Sequence, residues 1–223
     1  MSESRVPSRA EIRESCLDRA RETRAGITSG EYVPAALDNL VITEIGVALH
    51  SDDPEEIREH LRRAAEASRE LFALAWPNRD NLYKAKIYGD DGSGTGPSPA
   101  IEGMHAGLAS GDLELARDIA RHSGFKDDKR FSAKSQRLYA DALRSWLLTG
   151  EFDGFSRVPH ESGTVTFSSF ARIFLLAKDD PRTALTELEE VSRKFMKSRL
   201  SDEAHFGVCI LSLRIWLTDQ LRA

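Results

Sequence analysis

The spacing of the apolar residues constrains the fold of this chain more than any other feature of its sequence. These residues recur at intervals of three and four along most of the 223 positions. Two clear examples are the sets Phe167, Phe170, Phe174, Ala177 and Ala184, Leu188, Val191, Phe195. Side chains at this spacing share one face of an α-helix, whereas a half-buried strand alternates at every second residue. No strand pattern of comparable strength occurs in the sequence, which therefore predicts an all-α fold.

Short polar turns that contain an acidic residue separate the predicted helices. Four such joints occur at 48–54, 107–113, 147–152 and 175–181, and a new helix is expected after each of them. After the third joint, a loop from Gly150 to about Gly163, which includes Gly154 and Pro159, is expected before the next helix. An Asp at the end of such a turn caps the second helix, which folds back on the first. The joints are irregularly spaced, whereas tetratricopeptide arrays hold about 34 residues per repeat. We therefore predict an irregular stack of antiparallel αα-hairpins, with tetratricopeptide-like packing but no regular repeat.

Two helix starts have a particularly clear local signature. Ser8 stands three residues before Glu11, which is the capping-box spacing, so the first helix is predicted to begin there. Asp53 precedes Pro54 and two glutamates, and this order places a cap, a first-turn proline and two carboxylates at the positive end of the helix dipole.

The domain organisation is predicted to be simple. A chain of 223 residues is long enough to bury a continuous core, so we expect a single helical domain over 1–223. A long loop at about 77–99 interrupts the helices, since this segment is rich in Gly, Asp, Asn and Pro. Long loops inside compact domains are often functional.

Charge and apolar run length limit the classes of partner. The formal net charge of −5 argues against a nucleic-acid binder, which needs a basic stripe to displace counterions, and it suits a basic protein partner. The apolar runs are much shorter than the roughly 20 residues that span a bilayer. Met1 to Pro7 contain no apolar stretch typical of a secretory signal. We therefore expect a cytoplasmic protein without membrane or nucleic-acid partners, in which Cys16 and Cys209 are buried structural thiols.

One pattern in the sequence is compatible with metal chemistry. Glu102 and His105 stand three residues apart, and Asp202 and His205 repeat the spacing. Di-iron helical bundles use two Glu-x-x-His pairs together with further glutamates. Here the second pair begins with Asp, which is better placed as a helix cap. We interpret the first pair as a bonded pair on a helix surface and predict no metal, no other cofactor and no catalytic residue. A metal site of Glu102, His105 and His205 is kept as an alternative.

The candidates for partner contact are aromatic and acidic side chains, namely Tyr83, Tyr88, Asp90, Asp91, Asp52 and Asp53. Aromatic side chains in an adaptable polar loop make good interface anchors. Acidic side chains attract a basic partner, although most acids in a helical protein are caps or solvated groups.

The segment from Ala100 to Gly124 resembles all-helical immunity proteins of bacterial polymorphic toxin systems, immunity protein 49 in particular. It begins Ala-Ile-Glu-Gly-Met-His-Ala-Gly-Leu-Ala-Ser-Gly-Asp-Leu-Glu-Leu-Ala-Arg. A helix of small and apolar residues, a short acidic turn and another helix follow a long loop, as in that family. The resemblance implies a cytoplasmic protein that neutralises a cognate toxin by tight binding and that needs no chemistry of its own.

Two other functions remain open from the sequence. A helical-repeat adaptor would hold a peptide or protein partner in a concave groove. A helical metal-dependent enzyme would use the alternative metal site.

Overall fold

The computed structural model describes residues 7–28, 33–75, 98–123, 134–163, 165–197 and 203–222. These ranges contain nine α-helices, one short 3-10 helix and no strand, so the all-α prediction is confirmed. The α-helices are α1 (Arg9–Thr28), α2 (Val33–His50), α3 (Pro54–Ala75), α4 (Ser98–Ser110), α5 (Leu113–His122), α6 (Lys134–Thr149), α7 (Phe167–Asp179), α8 (Pro181–Lys197) and α9 (Glu203–Gln220). None of them is long and apolar enough to cross a membrane.

The helices form an irregular stack in which most neighbours in sequence are neighbours in space. Each of α1 to α5 packs on the helix that follows it, and α7 packs on α8. The last helix, α9, packs on α8 and also returns to α4 and α2. The contacts of α9 with α2 and α4 connect the last helix to the first half of the stack. The sequence pattern did not predict these long-range contacts.

The predicted caps are present at the helix starts. Ser8 and Glu11 exchange two hydrogen bonds, of 2.7 and 3.3 Å, in the capping-box arrangement. Three aspartates accept hydrogen bonds from backbone amides in the first turn of the helix that follows. Asp53 accepts from Glu55 at 3.0 Å, and Asp112 accepts from Leu115 at 2.9 Å. Asp180 accepts from Arg182 at 3.0 Å and from Thr183 at 3.2 Å. These bonds satisfy amides that have no partner within their own helix.

The segment after α6 has more local structure than the loop that the sequence predicts from Gly150 to about Gly163. The structure has a 3-10 helix at Asp153–Arg157 and irregular backbone at 158–163. Gly154 lies against the backbone of Ala142, and a Cβ at position 154 would stand only 3.0 Å from the Ala142 Cα. Pro159 follows within six residues and opposes continuation of the helix.

An aromatic cluster fills the core between α6, the 3-10 helix, α7 and α9. Phe155 and Phe174 stack in parallel with ring centroids 4.2 Å apart. Trp146 meets Phe174 edge-on at 4.9 Å and Trp216 edge-on at 5.1 Å. Such pairs add to the hydrophobic gain of burying the rings themselves. The cluster holds α9 against the second half of the stack.

Helix α4 makes close contacts with both of its neighbours in sequence. All residues from Pro99 to Gly107 are buried. A Cβ at Gly103 would lie 2.1 Å from the Ser68 Oγ of α3, and one at Gly107 would lie 3.0 Å from the Ala116 backbone nitrogen of α5. Only glycine permits these approaches. Of the loop predicted at about 77–99, residues 98–99 belong to α4, and the remainder lies outside the described residues.

We expect Phe174→Ala to lower the free energy of unfolding by about 3–5 kcal/mol, because truncation leaves a cavity in the aromatic cluster. Met196→Ala is the control, since the Met196 side chain is 78% exposed and its loss should cost less than about 0.5 kcal/mol. Urea denaturation followed by circular dichroism measures both. Equal stabilities of the two variants would contradict the assigned core.

Candidate functional site

The buried acid of α4, Glu102, is bonded to α9. It is 4% exposed, and His205 Nδ1 donates to its Oε1 over 2.8 Å. The bond joins residues 103 positions apart. The interpretation of Glu102 and His105 as a bonded pair on a helix surface is therefore wrong. Both residues face the interior, and the acid finds its partner on another helix.

His105 is bonded through both of its ring nitrogens. Nδ1 lies 2.7 Å from Ser212 Oγ of α9, and Nε2 lies 2.9 Å from Tyr139 Oη of α6. Burial, followed by the charge of the nearby His205, lowers the pKa of His105 to about 3. The imidazole is therefore neutral at physiological pH, with one ring nitrogen donating and the other accepting.

These bonds bear directly on the alternative metal site. A histidine binds a metal through a ring nitrogen that has a free lone pair, and both nitrogens of His105 are occupied by hydroxyl groups. Within the ranges that the structure describes, no group of three or more His, Cys, Asp or Glu side chains is arranged to hold a metal ion. Asp202 lies outside those ranges.

Asp38 of α2 is a half-buried acid that sequence reasoning missed. Its Oδ1 is buried without a hydrogen-bond partner among the described residues, and the same is true of Glu102 Oε2. Burial, followed by repulsion from Glu102, raises the pKa of Asp38 to about 6. A signal was present in the sequence, since Asp38 interrupts an otherwise apolar face beside Leu37 and Val41.

A second buried acid, Glu44, ties the first three helices together. Glu44 of α2 is fully buried and accepts hydrogen bonds from Arg24 of α1 and His60 of α3. Arg13 of α1 likewise bonds Glu56 of α3. These bonds hold α1 and α3 on either side of α2.

Neither cysteine has the lowered pKa that is typical of a reactive thiol. Cys209 is fully buried, and burial raises its pKa well above the ordinary value. Cys16 is half-buried beside Gly46, and burial raises its pKa too. A thiol needs a lowered pKa to react readily at neutral pH. The burial expected of both thiols is found for Cys209 and only partly for Cys16.

An open groove lies between α1 and α3 above the first half of α2. Its volume is about 680 Å³. Four apolar side chains belong to its lining, Ile27, Leu37, Leu40 and Ala67, and the last three are almost fully buried. Charged side chains form the edge of the groove, namely Arg24, Arg62, Arg63, Glu59, Glu66 and Glu70. The groove therefore presents mainly charged side chains, with an equal number of positive and negative groups.

No family model matches this chain, and no curated protein or solved structure matches it significantly. The geometry of its own side chains is therefore the evidence that bears on its function.

The residues predicted to contact a partner have different outcomes. Tyr83, Tyr88, Asp90 and Asp91 lie outside the described residues, so their role stays a prediction. Asp53 is engaged as the cap of α3, as its position indicated. The Asp52 side chain is 91% exposed and pairs with Arg9 at 3.4 Å. Asp52 is therefore accessible to a partner, and its exposed ion pair is weak.

We expect Tyr139→Phe to lower the free energy of unfolding by about 1–3 kcal/mol, because it leaves the buried His105 Nε2 without a partner. The aromatic ring and its packing are retained. Thermal and urea denaturation measure the effect, with Ser156→Ala as a control that removes an exposed hydroxyl bonded only to local backbone. Wild-type stability of Tyr139→Phe would contradict the His105–Tyr139 bond.

Proposed function

We propose that this chain is a non-enzymatic binding protein that neutralises a cognate bacterial toxin by covering the toxin's active site. The observation that carries the proposal is the open groove between α1 and α3. The resemblance of the segment from Ala100 to Gly124 to polymorphic-toxin immunity proteins supports a toxin as the partner.

The groove has the surface chemistry of a protein contact. The charged edge supplies orientation and specificity. Ile27 is the one partly exposed side chain among the four apolar residues of the lining, because Leu37, Leu40 and Ala67 are almost fully buried. The edge carries three arginines and three glutamates. This charge pattern is complementary to a toxin segment that presents an apolar side chain flanked by charges of both signs.

Charged side chains at the edge of the groove can leave their present ion pairs and bind charged groups of a partner. Arg62 pairs with Glu66 at 2.5 Å and with Glu59 at 3.0 Å, all within α3, and these side chains are about 40% exposed. Exposed pairs within one helix contribute only about 0.3–0.5 kcal/mol each. A partner can therefore replace them at low cost. Arg24, by contrast, is bonded to the fully buried Glu44 and keeps the groove in shape.

Occlusion requires a surface that is formed before the partner arrives. The helices that line the groove are held by the buried bonds of Glu44, so little ordering free energy is lost on binding. The exposed Asp52 and the candidate residues of the 77–99 segment would add charge complementarity with a basic toxin and raise the association rate.

A helical-repeat adaptor is the second candidate, because the same groove fits a peptide equally well. The two functions differ in their consequence for a cell. An immunity protein restores growth when its toxin is expressed, whereas an adaptor does not. The metal-dependent enzyme is less favoured, since the ring nitrogens of His105 are both bonded to hydroxyl groups.

The test begins with the gene directly upstream of this one, which the proposal expects to encode a toxin-like protein. Co-expression should restore growth, and calorimetry should give tight one-to-one binding. Arg62→Ala combined with Glu66→Ala should weaken binding at least 10-fold, or about 1.4 kcal/mol, because it removes two groups from the edge of the groove.

The matched control is Glu190→Ala combined with Lys194→Ala on α8, an ion pair of 2.9 Å with similar exposure that does not line the groove. It should change the affinity less than 3-fold. Binding that is equally sensitive to both double variants would contradict the groove as the contact. Failure of the upstream protein to bind or to inhibit growth would contradict the immunity function.

A further inference from the structure

Helix α1 is attached to the stack by fewer apolar contacts than α5 or α7. Of its 20 residues, only Ala20 is buried. α5 has four buried residues among ten, and α7 has six among 13. The backbone contacts of α1 are mainly with α2, whereas α5 packs on α3, α4 and α6. α1 therefore lies at an edge of the stack, where little apolar area holds it.

Charged hydrogen bonds fasten this edge helix to its neighbours. Arg13 bonds Glu56 of α3 through two of its nitrogen atoms, and Arg24 bonds the buried Glu44 of α2. Solvent reaches both arginines, whose side chains are 28% and 39% exposed. When α1 leaves the stack, the arginines exchange these bonds for bonds to water, so the net loss of free energy is modest.

α1 forms one side of the groove, to which it contributes Arg24, Ile27 and Thr28. We propose that α1 is a movable wall of this groove, which opens and closes on the rest of the stack as one unit. The groove is complete only while α1 is docked, so a partner bound in the groove holds the wall closed. The opening is a property of the free protein, whereas its use in recognition rests on the proposed function.

The opening of α1 costs less free energy than global unfolding. It breaks the arginine bonds and exposes one buried alanine, and His60 of α3 keeps its bond to Glu44. Regions with few buried apolar contacts open in this way while the rest of a protein stays folded. Salt screens charge pairs that solvent reaches, so the opening of α1 should become easier as the ionic strength rises.

The first experiment is native-state hydrogen exchange of the free wild-type protein at about 0.05 M and about 0.5 M KCl. The amides from Arg13 to Arg24 should share one opening free energy, which is lower than that of α4. They should exchange at least about 3-fold faster at the higher salt concentration, while α4 should not respond. Exchange that is graded from the middle of α1 to its ends, without a salt effect, indicates fraying and would overturn the proposal.

The second experiment locks the wall with a disulfide. A Cβ at Gly46 of α2 would lie 3.6 Å from the Cys16 Cβ of α1, within the range of about 3.5–4.5 Å found in disulfides. Gly46→Cys should therefore cross-link to Cys16 on mild oxidation, whereas Cys209 is fully buried on α9. In the oxidised form the α1 amides should slow at least about 10-fold, until they exchange with α4 through global unfolding.

The reduced form of the same variant is the reference for the lock. Its α1 amides should remain fast, because the two thiols leave the helix free to open. Equal exchange of α1 in the oxidised and reduced forms would overturn the proposal.

The third experiment removes one of the fastening bonds. Arg13→Gln should accelerate exchange in α1 at least about 10-fold, because the bond to Glu56 is lost. The matched control is Arg21→Gln, since Arg21 is 65% exposed and pairs at 2.8 Å with Asp18 of the same helix. It should change the rates less than about 3-fold. Equal acceleration by both variants would contradict the assigned fastening.

The use of the wall in recognition is tested with the upstream toxin-like protein. In its complex the α1 amides should slow at least about 10-fold relative to the free protein. Binding that leaves exchange in α1 unchanged would overturn the role of the wall in recognition. If the upstream protein does not bind, the proposed function fails, while exchange in the free protein still decides whether α1 opens as a unit.

Discussion

The close packing of α4 against its neighbours is the constraint on which the rest of this structure depends. Every residue from Pro99 to Gly107 is buried, and two glycines let α3 and α5 approach the α4 backbone. A side chain at either glycine would meet atoms of the neighbouring helix at 3.0 Å or less. Interiors packed at this density do not adjust freely, so the position of α4 determines where the helices around it lie.

Because α4 is buried, its polar side chains need hydrogen-bond partners inside the protein. A helix buried on all sides carries Glu102 and His105 into the interior, where each polar atom needs a partner. α9 supplies His205 and Ser212, and α6 supplies Tyr139. These bonds specify how α9 lies on the stack, in addition to the aromatic contacts of Trp216. The polar cluster is therefore explained as part of the fold.

The features predicted correctly from sequence depend on neighbours along the chain. Asp53, Asp112 and Asp180 cap their helices through amides two or three residues away, so a short pattern was sufficient. The features that were missed depend on distant residues. The spacing of Glu102 and His105 specifies their angular separation on a helix but not the helix that each one meets. The groove could not be predicted from the sequence either, because Ile27 and Ala67 come to line the same groove only through the packing of three helices.

Native-state hydrogen exchange of the backbone amides tests the central role of α4 most directly. The amides of α4 should exchange only through global unfolding and rank among the slowest in the protein, since a helix buried on all sides cannot open alone. Those of α1, most of whose residues are exposed or half-buried, should exchange faster through local opening. Exchange in α4 that is as fast as in α1 would contradict the account.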